Sequence, residues 1–316
     1  MVRAKKGQAM TDTTLSGVHL ADSARKSRIH ETFGVALLLL APSLVFLALF
    51  TYWPVVQVAW QSLTVESFGG ATRTGLDNFQ RLFADARFAR AAQNNIVFAV
   101  GTVVPSIVLA LAFAVGLQET TRLTSGLRTV FILPVMIPLV AASALFSFIF
   151  QPRFGLLDYY LGSLGFGTTN WIGNPDLALW SLMGLTVWKN AGYYMLFFLA
   201  GLRAIPDELY ESARVEGATA VQRFRRITLP LLRPTLTFVV VIALLQVLTN
   251  VDHIILLTGG GPSDSTNVLL YYIYQQAHEN YDIGLAAAAT VVTVAALLVI
   301  SAVSLRTLER GIHYEG

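Results

Sequence analysis

Apolar stretches of similar length alternate with polar connections along this chain. They lie near residues 33–59, 94–118, 128–150, 178–202, 234–257 and 284–305. Each supplies the roughly 20 helical residues needed to cross a hydrocarbon layer about 30 Å thick. The pattern therefore predicts an all-α integral membrane protein with six transmembrane helices. The fifth stretch is the least sharply bounded: apolar residues continue from Ile254 to Leu257 past Asn250, Asp252 and His253, so its far end is expected to be irregular. Residues 1–31 are polar and form a tail ahead of a 32–312 membrane domain. The first apolar run is too long for the core of a cleavable signal peptide, and no small-residue cleavage site follows it.

The longest polar interruption between spans that also carries a helical pattern is residues 205–234. Pro206 followed by Asp207 and Glu208 suits a helix start, where a missing N–H costs nothing and carboxylates meet the positive end of the dipole. Leu209, Ala213, Gly217, Ala220 and Phe224 then recur at helical spacing as a stripe of mostly small residues. Arg214, Gln222, Arg225 and Arg226 fall opposite, Gly217 predicts a break between two short helices, and Pro230 and Pro234 close the segment. By these features alone it is either an ordinary basic loop or a surface that another protein approaches closely.

The spacing of Glu211, Ser212 and Ala213, then Gly217, then Ile227-x-Leu229-Pro230 resembles the EAA loop of bacterial ABC importer permeases, with Ser212 standing where that family has alanine. The flanking IPDELYESARVEGA and ITLPLLRP resemble its carbohydrate-uptake branch, which includes maltose and glycerol-phosphate permeases. Two further stretches resemble the same branch: Gly75 to Phe79 after the first span, and Leu257 to Pro262 (LTGGGP) after the fifth. The resemblance implies a type I importer permease fold in which residues 205–234 form a cytoplasmic coupling helix seated in a cleft of an ATPase subunit. Glu211, Ser212, Ala213, Gly217, Ala218, Phe224, Leu229 and Pro230 would make that contact. It further implies as partners a second homologous permease, two cytoplasmic ATPase subunits that hold ATP and magnesium, and an extracytoplasmic solute-binding protein. The 257–262 turn would face that binding protein.

Composition agrees with a membrane protein: 54% of residues are hydrophobic and 13% charged, and there is no cysteine for disulfides or thiolate metal sites. A net charge of +3 is too small to argue for nucleic acid, so the basic residues are read by position. Sixteen of the 22 Lys and Arg fall in segments that are cytoplasmic if the N-terminus is inside, five fall outside, and Lys189 lies within a span. That bias places both termini, and the 205–234 loop, in the cytoplasm with the chain crossing the membrane several times; the resemblance implies that this membrane is the inner membrane of a bacterial cell. Pro54, Pro105, Pro134 and Pro138 lie within spans, where they either kink helices around a central cavity or are simply tolerated.

Polar side chains within spans normally face protein or water. Thr186, Lys189, Asn190 and Tyr193 share one helical face and could hold a sugar-like substrate, or Lys189 could pair with a neighbouring helix to fix packing. Asn250 and Asp252 form a second candidate group, and by position both groups match stretches that contact sugar in the resembling maltose permease, although the residue types mostly differ. An ammonium at Lys189 would also suit sn-glycerol 3-phosphate or another polyol phosphate. The five histidines have no metal-ligand spacing and read as structural or solvated. No G-x-x-x-x-G-K-[ST] occurs, so nucleotide must bind a partner, and no catalytic constellation appears, which disfavours a membrane-embedded hydrolase. A stand-alone secondary transporter would need buried carboxylates to carry its coupling ion, and none lies mid-span.

Overall fold

The computed structural model describes residues 38–66, 72–165 and 167–309, the side chains of 66, 72 and 303–309 excepted. The 1–31 tail, the start of the first apolar run and residues 310–316 therefore lie outside the described residues. Residues up to Trp60 form one compact unit and those from Gln61 another.

In the first unit, α1 (Leu38–Ser62, its last two residues belonging to the second unit) contains a π turn at Ala48–Tyr52, where the amide of Trp53 reaches the carbonyl of Ala48. The turn immediately precedes Pro54, which has no N–H to continue the ordinary ladder.

The second unit opens with a short antiparallel hairpin, β1 (Thr64–Glu66) and β2 (Thr72–Thr74), with Val65 opposite Arg73. Helix α2 (Asp77–Ala84) follows. The buried Asn78 donates to the carbonyls of Ser62 and Thr64 at 3.1 and 2.9 Å, which gives the Gly75-to-Phe79 stretch its local purpose. Helix α3 (Ala86–Gly116) begins eight residues before the apolar run that predicts it. Asp85 caps its first turn by accepting from the amide of Arg87. Phe88 and Ala91 then enter a small core with Leu82, Tyr272, Leu285, Ala288 and Ala289, an amphipathic extension that hydropathy alone does not register.

The third apolar run is two helices rather than one. Helices α4 (Arg122–Met136) and α5 (Leu139–Ile149) meet at 100°. The break falls at Ile137, which is extended (φ −77°, ψ 127°) ahead of Pro138, as sterics before proline favour. Pro105 lies inside the unbroken α3 and Pro134 inside α4, so of the prolines in this unit's spans only Pro138 opens a helix.

Helix α6 (Leu156–Ser163) is short, and its buried Asp158 organises the following loop by accepting from the backbone amides of Arg153 and Thr169 and from Trp171 Nε1. Helix α7 (Ala178–Arg203) is the centre of the unit and packs along α3, α4 and α10 (Arg233–Thr249). At Gly192 a Cβ would come within 1.7 Å of the Phe131 carbonyl, so glycine is what lets α7 cross α4. Phe98, Met183, Tyr194, Met195, Phe198, Val239, Ala243 and Ile254 form the main core between these helices.

Between α7 and α10 lie α8 (Asp207–Val215) and α9 (Ala220–Leu231), the latter loosened by a π turn at Phe224–Thr228. Helices α9 and α10 meet at 65°. Helix α10 ends at Thr249, and a separate helix α11 (Asp252–Leu257) follows within the same apolar run, so the expected irregularity is a complete break at Asn250 and Val251. Helix α11 packs on α5. The chain then forms α12 (Leu269–Tyr274) and α13 (Ile283–Glu309). Thr266 does not cap α12; its hydroxyl bonds Thr258 Oγ1 and the Gly261 carbonyl, both at 2.7 Å, and so closes the 258–266 turn on itself.

Among the described residues α1, α3 and Ile283–Ala302 of α13 are each long and apolar enough to cross a membrane, and α4–α5 and α9–α10 qualify as bent pairs. Helix α7 has the length, at 26 residues, but Lys189, Asn190, Tyr193 and Tyr194 dilute its apolarity.

Candidate translocation cavity and coupling surface

The two helix breaks converge. Helices α5 and α11, the pieces beyond them, pack together, and a small cavity of about 20 Å³ lies beside the breaks. Its lining is Phe98 of α3, Leu139 at the start of α5, Thr186, Lys189 and Asn190 of α7, Gln246, Val247 and Asn250 at the end of α10, and His253 of α11. That volume holds about one water and no sugar ring, so the cavity is closed.

Lys189 donates to the carbonyls of Pro134 (3.2 Å), Val135 (3.4 Å) and Ile137. Val135 lies in the last turn of α4 and Ile137 at the 100° bend itself, and the Pro134 carbonyl also accepts from the Ile137 amide at 3.3 Å. The ammonium thus caps a helix C-terminus, where positive charge is also favoured by the dipole. Buried Thr186 spends its hydroxyl proton on the Leu182 carbonyl of its own helix at 2.9 Å. Asn190 is buried at the cavity wall.

Of the residues expected from sequence to touch substrate, Thr186, Lys189, Asn190 and Asn250 come together here. Tyr193 does not: its ring packs edge-on against Phe197, centroids 5.1 Å apart, and beside Tyr194. Asp252 is exposed in the first turn of α11 and also lies outside the lining.

Two residues outside the sequence-derived set, Gln246 and His253, also line the cavity. Gln246 accepts from the Tyr194 hydroxyl at 3.0 Å through Oε1, leaving its amide nitrogen for the cavity. His253 is 1% exposed, stacks on Phe98 with centroids 5.6 Å apart, and neither ring nitrogen has a hydrogen-bond partner. Gln246, Asn250 and His253 stand at i, i+4 and i+7, so a helical repeat of polar residues in an apolar run was the available signal.

The helix pair α8–α9 presents the second candidate surface. Helix α8 ends in a turn where Gly217, at φ +78°, donates to Arg214 and Ala218 donates to Ala213, the paired bonds of a Schellman cap. Thr219 and Gln222 then cap α9 reciprocally. The expected break at Gly217 is present, but it splits the stripe of small residues. Ala213 is buried and Tyr210 half-buried, with the Tyr210 and Thr228 hydroxyls 3.0 Å apart, whereas Leu209, Gly217 and Ala220 are exposed. Glu211 and Ser212 are exposed, Ala218, Phe224 and Pro230 are half-buried, and Leu229 is exposed. Pro230 is the penultimate residue of α9, as expected of a closing proline, whereas Pro234 sits in the first turn of α10. Val215, 90% exposed, and Val221, 66% exposed, stand on either side of the turn as its bare apolar surface. An open cleft of about 630 Å³ separates α8 and α9 from the 115–124 segment.

At the opposite end of α3, Arg87 pairs with Asp264 at 3.0 Å, Asn94 donates to the carbonyls of Asp264 and Asn267, and the Tyr272 hydroxyl donates to Asp85 at 2.6 Å. Arg87 holds the Asp264 carboxyl below its ordinary pKa, and burial, followed by Asp85, pushes the Tyr272 phenol up. No group of three or more His, Cys, Asp or Glu among the described residues could hold a metal ion.

Residues 106–314 match the family described as "Binding-protein-dependent transport system inner membrane component". The chain is 32% identical over 281 residues to the sn-glycerol-3-phosphate transport system permease protein UgpA of Escherichia coli (strain UTI89 / UPEC), covering 88% of this chain and 95% of that protein. It is 34% identical over 280 residues to the "Probable ABC transporter permease protein YurN" of Bacillus subtilis (strain 168), covering 87% and 96%. Among solved structures it resembles a chain of a bacterial alginate ABC transporter in complex with alginate pentasaccharide-bound periplasmic protein. The TM-score there is 0.79 at 25% identity, over 89% of this chain and 96% of that one. The match extends through the cavity helices α7, α10 and α11 and the α8–α9 turn. The chain therefore belongs to the inner-membrane permease family of binding-protein-dependent ABC importers, in which the ATPase is a separate subunit.

Proposed function

We propose that this chain forms half of the pathway of an ATP-driven importer for a sugar or sugar derivative, with both termini in the cytoplasm and six membrane crossings. Its partners are a second homologous permease, two ATPase subunits carrying ATP and magnesium, and an extracytoplasmic binding protein that delivers the cargo. The α8–α9 turn is the coupling element, and ATP-driven closure of the ATPases rocks the helices between outward and inward access. What supports this reading most is the capped turn at Gly217, which holds Val215 and Val221 bare beside Glu211 and Ser212. Exposed apolar side chains on a rigid, well-hydrogen-bonded turn are the makings of a protein contact.

Cargo chemistry is supported by the uncharged hydrogen-bonding wall of Asn190, Gln246, Asn250 and His253, which suits hydroxyl groups. The name of the 32% identical relatives favours a second reading, sn-glycerol 3-phosphate or another polyol phosphate carried by the same machinery. Cysteine placed at Ala218 tests the orientation and the coupling role together. It should be labelled only from the cytoplasmic side and should cross-link to an ATPase subunit. Labelling of intact cells by an impermeant reagent would reverse the topology.

A further inference from the structure

We propose that Lys189 is a positioning residue that fixes the α4–α5 break, and that this chain meets its cargo with uncharged hydrogen-bonding groups alone. The inference rests on the permease reading above. Lys189 is the single charged residue in the cavity lining, and an ammonium has three donors. The carbonyls of Pro134, Val135 and Ile137 account for all three. Withdrawing the ammonium to meet a phosphate would take the side-chain donor from the Val135 and Ile137 carbonyls and leave Pro134 with the Ile137 amide alone.

The groups left for cargo are neutral. Gln246 is oriented by Tyr194, with its amide nitrogen unspent. His253 has both ring nitrogens unpartnered at 1% exposure, an arrangement that costs free energy until a partner arrives. The lining holds no carboxylate that would stabilise a charged imidazole. An incoming hydroxyl can donate to one ring nitrogen and accept from the other, and Asn190 and Asn250 extend the same chemistry along the wall. Any selection for anionic cargo would then come from the binding protein or the second permease.

The test uses the assembled transporter in nanodiscs without binding protein, with glucose and glucose 6-phosphate as probes at matched ionic strength, read as a saturable shift in melting temperature. Glucose should bind, and His253→Ala should weaken it at least fivefold. Glucose 6-phosphate should bind no tighter than glucose. In the same nanodiscs, hydrogen exchange at residues 135–139 should rise in Lys189→Met and stay at the wild-type level in Lys189→Arg, which keeps a capping cation. Glucose 6-phosphate binding tenfold tighter than glucose, with the gain lost in Lys189→Met, would overturn the proposal. So would the absence of any glucose response. ATP hydrolysis stimulated by the binding protein, measured separately, reports whether the permease reading itself stands.

Discussion

The breaks in α4–α5 and in α10–α11 lie side by side, yet they are finished in opposite ways. At the first, an ammonium from α7 satisfies the freed carbonyls. At the second, the N-cap of α11, Val251, offers no side-chain cap, and His253 in the first turn has no hydrogen-bond partner. In a low-dielectric interior an unsatisfied polar group is expensive, so its presence marks where something else is meant to bind, whereas a saturated one marks a fixed joint. On the reading proposed above, the first break shapes the cavity and the second reads what enters it.

The sharpest way to separate the two is to remove the cation. Lys189→Met takes the donor from the Val135 and Ile137 carbonyls, while Pro134 keeps the Ile137 amide, at about 1–3 kcal/mol for each carbonyl left unmet, so transport should be abolished and the melting temperature should fall, with Lys189→Arg restoring most of both. Gly192→Leu attacks the same joint from its packing. A side chain aimed at the Phe131 carbonyl forces α7 off α4 at a cost of about 1–3 kcal/mol, seen as a lower melting temperature and reduced assembly. Wild-type stability in that variant would show that the crossing is not tight.

At the coupling turn, Gly217→Val meets a left-handed backbone and should cost about 1–2 kcal/mol locally, uncoupling binding-protein stimulation from ATP hydrolysis. At the open break, His253→Ala removes one or two hydrogen bonds to cargo, each worth about 0.5–1.5 kcal/mol, so KM for uptake should rise roughly twofold to tenfold per bond, beside a fall in melting temperature from the lost packing on Phe98.

The smallest effect belongs to Asp158. Its carboxyl is held below the ordinary value, first by the Arg153 amide and then by Trp171 and Thr169. A depressed carboxylate contributes stability above its unfolded pKa and loses it as pH falls through the folded value. The loop around α6 should thus loosen only in acid, and Asp158→Asn should remove that pH dependence when tryptophan fluorescence near Trp171 is followed.

Much of this was legible in the chain because lipid imposes a simple rule. A run of about 20 apolar residues has few alternatives to a helix. The glycine turn was equally plain, since Pro206 and Gly217 are local signals that act within a few residues, whereas the Thr219 cap was not read. Pro138 was harder: Pro105 and Pro134 look the same in sequence and break nothing. What distinguishes Pro138 is a cation 51 residues later that takes up the freed carbonyls, and such a partner is visible only once α7 lies on α4. Tyr193 shows a related point, because helical spacing gives the face of α7 but not its neighbour, and here the ring packs on Phe197 rather than lining the cavity. Histidine at 253 carried no motif, and its meaning came from burial without a partner.

The account stands or falls on whether the chain is moved by a separate motor. Proteoliposomes holding this chain and its partner permease, with and without the ATPase subunits, should be loaded with ATP and assayed for accumulation of labelled solute delivered by the binding protein. Accumulation should require the ATPase subunits and vanish when they are left out. Concentrative uptake by the permease pair alone would contradict it.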